Sequence, residues 1–168
     1  MNDAYDSYWI SFVDAKIAEE YYFLYIHQSR IFLWGINVIC MATSFTGVIA
    51  LITSYLPNLA SSIIILVPQL ISLFQPFYPF GDRLYAAKLI YSEYSKLALD
   101  AEKNINQYLY GSKNIQDFDR LAVSFQKSLS SVEEKYAPPD LFPRKKRLHK
   151  KSERNVTQYI NTHFHVGG

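Results

Sequence analysis

IFLWGINVICMATSFTGVIALITSYLPNLASSIIILVPQLISLFQPFYPFG, residues 31–81, contains no Asp, Glu, Lys, Arg or His. Arg30 closes the run on one side, Asp82 and Arg83 on the other. A helix needs about 20 apolar residues to cross a hydrocarbon core roughly 30 Å thick, so the run is too long for one span and long enough for two. Tyr55-Leu56-Pro57-Asn58 breaks it near the middle. Pro57 has no N–H to give a helix, and Asn58 favours a turn. The stretch therefore reads as a transmembrane hairpin, with spans 31–56 and 59–80. A buried helical pair inside a soluble core is the other reading, but a chain of 168 residues seldom spares so many uncharged positions for it.

Charge sets the expected orientation. Of the 17 Lys and Arg, 15 follow the hairpin, and the loop between the spans has none. Cationic loops stay on the cytoplasmic side, so both termini are expected there. The first 30 residues carry Asp3, Asp6, Asp14, Glu19 and Glu20 against Lys16 and Arg30, a pattern unlike a cleavable signal peptide. Asn155-Val156-Thr157 matches a glycosylation sequon but would face the cytoplasm. The one cysteine, Cys40, excludes disulfide frameworks and paired-cysteine metal sites within the chain.

Upstream of the hairpin, 1–30 reads as a helix that runs unbroken into the first span, since no Pro or Gly separates them. Tyr5, Tyr8, Trp9, Phe12, Ile17, Tyr21, Leu24 and Tyr25 cover much of its surface. The first span holds many small and weakly polar residues, which let membrane helices approach closely. Asn37 and Ser44, seven residues apart, stand out as a packing face or a pore lining, because an amide in hydrocarbon needs a partner or water. In the second span Pro68, Pro76 and Pro79 each remove a backbone hydrogen bond, with Gln69 and Gln75 placed to satisfy the freed carbonyls. Residues 75–81 read as a joint.

After Asp82 the pattern changes. Leu84, Ala87, Tyr91, Tyr94, Ala98, Ala101, Ile105 and Tyr108 alternate steps of three and four, as do Ile115, Phe118, Ala122, Phe125, Leu129, Val132 and Tyr136. Two amphipathic helices joined around Gly111 are expected to form an antiparallel hairpin over 82–137. Such stripes are usually packing surfaces. Pro138 and Pro139 end the second helix, and 138–168 reads as a basic C-terminal tail. Within it Arg144, Lys145, Lys146, Arg147, Lys150, Lys151 and Arg154 place seven cations in eleven positions. Anionic lipid, a phosphate-rich ligand such as an oligonucleotide, or plain solvation each account for them. The cluster lies more than 60 residues past the second span, so nothing in the sequence holds it at the bilayer. His163 and His165 are too sparse for a metal site, and no phosphate loop, nucleophile elbow or metalloprotease motif is present. No catalytic residue, metal or cofactor is expected, and an enzyme is disfavoured.

The expected fold is thus an all-α membrane protein: an N-terminal helix continuous with a two-helix transmembrane hairpin, then a cytoplasmic helical hairpin and a basic tail. That order over residues 5–136 resembles the SLATT family, two-span bacterial effectors associated with nucleotidyltransferases in defence against phage. The likeness rests on helix order, with no diagnostic short motif. It implies a homo-oligomer, a tetramer among the arrangements expected, in the bacterial inner membrane. It also implies a nucleotide or single-stranded oligonucleotide messenger, made by a partner nucleotidyltransferase, that gates a pore. Two further readings are a non-conducting scaffold that recruits a partner through its helices, and a holin-like pore former, although holins usually lack so large a helical bundle.

Overall fold

The computed structural model describes residues 3–53, 66, 70–71, 80–110, 117–136, 142 and 145–164, with side chains in the first helix described for 5–42. Among the described residues the structure is all-helical, with α1 Asp3–Thr53, α2 Phe80–Leu109, α3 Asp117–Tyr136 and α4 Lys146–His163. The chain divides into two compact units: 1–26 with 83–168, and 27–82.

In the first unit α1 is the shared partner. Its Tyr5 ring packs 5.1 Å from Tyr108 and 5.4 Å from Phe118. Asn104 donates a 3.1 Å hydrogen bond to the Tyr8 hydroxyl, while Tyr22 stacks on Tyr94 at 6.0 Å. Early residues of α1 thus meet late residues of α2, so these two helices run antiparallel. Tyr108 packs on Phe118, and Tyr94 donates to Glu133 across 3.3 Å, which makes α2 and α3 the expected antiparallel hairpin. The two stripes supply its core. Ala87, Tyr94, Ala98, Ala101 and Ile105 of α2 are buried, and so are Phe118, Ala122, Phe125 and Val132 of α3. Ile90, off the stripe, is also fully buried. Burying a side chain of this size stabilises by roughly 1.5–3 kcal/mol.

The segment expected to be a basic tail holds a helix. Lys146–His163 forms α4, packed through Ser152, Val156 and Ile160. Leu148 and Phe164 extend the same stripe at four-residue steps and pack against the core. Because four residues overshoot a 3.6-residue turn, the stripe winds slowly around the helix and can follow a groove. Cationic residues dominate the composition and hide this apolar spacing. Contacts of Lys145 with Tyr25, Asn155 with Glu20 and Phe164 with Trp9 set α4 antiparallel to α1. Ahead of it, Phe142 plugs into Tyr22 and Tyr25, edge-on at 5.5 Å to each. Four segments contacting α1 in turn explain why its first 26 residues are apolar around most of their circumference.

The second unit continues α1 without a break to Thr53, as the absence of Pro and Gly at the junction requires. Its described part exposes Ile31, Phe32, Trp34, Val38, Ile39 and Met41, each more than 40 % accessible. At 100° per residue these six cover about half of the helix circumference. Among the described residues no helix is long and apolar enough to cross a membrane. Apart from residues 66, 70–71 and 80, the second span lies outside the described residues, Pro68, Gln69, Gln75 and Pro76 included, as does the side chain of Ser44.

Candidate functional site

The cations that stand out in the sequence are sorted by α4. With Ser152 and Val156 facing the bundle, Arg147, Lys150, Lys151 and Arg154 fall within about 100° on the opposite side. All four are exposed, as are Lys145 and Lys146 at the start of the helix. Arg144 lies outside the described residues. Spacings of three and four put neighbouring cations within about 6 Å at Cβ, where like charges repel. Among the described residues the ion pairs are Lys16–Glu19, Lys96–Glu93 and His149–Glu153, so these cations of α4 have no carboxylate partner. Glu153, the one acid in the stretch, lies 3.6 Å from His149 on a different flank. The result is an uncompensated positive face about two turns long.

Beside that face α4, α1 and α2 enclose a cleft of about 300 Å³, lined by Lys16, Glu19, Glu20, Phe23, Tyr91, Asn155, Val156 and Tyr159. This is at the small end for a ligand pocket. The sequence did not point to it, because its walls come from three distant segments. Several of its polar groups already have protein partners. Lys16 pairs with Glu19 at 3.1 Å and sits 4.8 Å over the Tyr159 ring. Asn155 donates to Glu20 at 2.6 Å, and Tyr159 donates to Glu102 at 2.7 Å. Burial, together with the Glu102 carboxylate that accepts its proton, pushes the Tyr159 phenol well above the ordinary tyrosine range. These links act first as fasteners of α4. Burial of Ser152, Val156 and Ile160 alone is a thin apolar contact, and charge-assisted hydrogen bonds supplement it.

The start of α4 is held by aromatic residues. The backbone N–H of Lys145 donates to the Tyr21 hydroxyl at 3.2 Å, and its ammonium lies 5.1 Å from the centre of the Tyr25 ring. The His149 ring packs edge-on to Tyr21. In the second unit Asn37 is exposed on α1, so the described residues leave its amide open to solvent or a partner. Among the described residues no cluster of His, Cys, Asp or Glu could hold a metal ion. No family model matches the chain, and no curated protein or solved structure does.

Proposed function

We propose that this protein is an oligomeric membrane effector of bacterial antiphage defence, an ion channel opened by a nucleotide or single-stranded oligonucleotide. The observation that carries the membrane part is the set of large apolar side chains exposed on α1 from Ile31 to Met41, within a run free of charge until Asp82. Apolar patches of this kind mark membrane or protein contacts. The cationic face of α4 supports the ligand part. Among the described residues its charges have no carboxylate partner, and they are presented on a folded helix, so an incoming polyanion would meet them without ordering a tail. The helix order 5–136 supports the effector reading through its resemblance to the SLATT family. On this reading the spans of several copies surround the conducting path, with Asn37 and Ser44 as lining candidates and Pro68, Gln69, Gln75 and Pro76 at the moving joint. Both termini then lie in the cytoplasm.

A non-conducting scaffold is the second reading. Exposed Tyr85, Leu99 and Leu109 on α2, Tyr110 just after it and Val123 on α3 favour it, since they offer apolar contact to a partner. Ion flux from liposomes carrying the purified protein separates the two. Flux that rises on adding single-stranded oligodeoxynucleotide or cyclic dinucleotide supports the channel. No flux with either probe, in vesicles shown to contain the protein, sinks it in favour of the scaffold.

A further inference from the structure

We propose that the first turn of α4, through Lys145, Lys146 and Arg147, docks on the headgroups of an anionic lipid surface. The proposal rests on the membrane part of the reading above and is independent of whether the protein conducts ions.

In sequence these cations are far from residue 26, where the first unit ends, yet folding within that unit brings them to this end. Lys145 is bonded through its backbone to Tyr21 and stands over Tyr25. Those tyrosines belong to the last turn and a half of α1 before Ile26, where the chain leaves the first unit, and Arg83 is where it re-enters. The basic end of α4 is therefore at the exit end of its own bundle. Tyr25 precedes Ile31 by six residues in a helix without interruption.

The chemistry of that end fits a headgroup layer. Tyr21, Tyr22 and Tyr25 are buried there and only hold the start of α4, so its cations are what that end offers to a headgroup layer. Lys145, Lys146 and Arg147 are exposed and have no carboxylate partner among the described residues. Each cation close to an anionic surface strengthens attraction roughly fivefold, so three give roughly a hundredfold. Reach divides the patch. Arg154 is nine residues beyond Lys145, about 13 Å farther along the helix and away from Ile26. The screening length at physiological salt is about 8 Å, so Arg154 feels little of a surface that Lys145 touches. Lys150 and Lys151, about 8 and 9 Å beyond Lys145, stand at the edge of that length, and Arg154 is left for a soluble anion.

The test uses the full chain in nanodiscs of phosphatidylcholine alone or of equal parts phosphatidylcholine and phosphatidylglycerol. Hydrogen exchange at amides 149–163 reports how often α4 opens. Exchange is expected to slow roughly tenfold or more in the anionic discs. Raising salt to about 1 M, where screening acts within about 3 Å, should remove the slowing without any substitution. Lys145→Ser, Lys146→Ser and Arg147→Ser together should abolish it, judged against the same variant in neutral discs because Lys145 also rests on the Tyr25 ring; Lys150→Ser, Lys151→Ser and Arg154→Ser should leave most of it. Equal exchange in both discs overturns the proposal, as does loss in both triple variants. Slowing in neutral discs by soluble glycerol 3-phosphate overturns it too, by assigning the site to free phosphate. Protein that elutes apart from neutral discs defeats the membrane reading itself.

Discussion

Tyr159 of α4 donates a 2.7 Å hydrogen bond to Glu102 of α2, joining helices whose residues are 57 positions apart. Few apolar side chains hold α4, so this bond and the Asn155–Glu20 bond contribute a large share of its attachment. Tyr159→Phe keeps the ring over which Lys16 sits and deletes only the donor. A hydrogen bond to a charged group contributes about 1.5–3 kcal/mol. Hydrogen exchange of α4 amides should accelerate by roughly ten- to a hundredfold, with α2 and α3 unchanged. Equal acceleration of all helices would show that α4 does not open separately.

The same phenol predicts an alkaline limit. Its folded pKa is raised, so the folded state keeps a proton that the unfolded state loses. Stability is then full below the ordinary tyrosine value of about 10 and falls as pH rises above it. Denaturation midpoints should decline above that pH, and Tyr159→Phe should flatten the decline.

Phe118 is fully buried among Tyr5, Tyr8 and Tyr108. Phe118→Ala should cost about 3–5 kcal/mol, since the ring fills space that three helices share. Asp14 gives a contrasting case. It is exposed, but partial burial and the nearby Glu133 push its carboxyl up. Protonation is favoured in the fold, so this group's contribution falls as pH rises through the acidic range, and Asp14→Asn should raise the neutral-pH midpoint slightly.

Substituting Lys150, Lys151 and Arg154 by Ala should weaken binding of a single-stranded oligonucleotide. With about 0.7 of a unit of log–log salt slope per phosphate contact, the slope should drop by about two. Melting should be unchanged or slightly raised, because all three side chains are exposed and neighbouring cations repel. An unchanged slope would place the ligand elsewhere.

Met41, exposed on α1, tests the membrane reading with one charge. In water Met41→Asp would be neutral or would improve solubility. In a bilayer it should cost about 3 kcal/mol of insertion, seen as loss from the membrane fraction on expression.

Much of the helical plan could be read directly. The three–four stripes beginning at Leu84 and Ile115 specify two amphipathic helices, because a helix buries one side every 3.6 residues. The unbroken α1 follows from the absence of Pro between Asp3 and Thr53, with Gly35 and Gly47 tolerated inside it. Charge pattern likewise isolates the cations of α4. Their arrangement was not legible, since Leu148, Ser152, Val156 and Ile160 become a stripe only when a groove exists to receive them. Nor could the sequence place Lys145 beside Tyr25 or Glu102 beside Tyr159. Local periodicity depends on neighbours three and four residues away and is written in the chain itself. The attachment of a basic helix depends on side chains more than fifty residues distant, which only the packed bundle brings together.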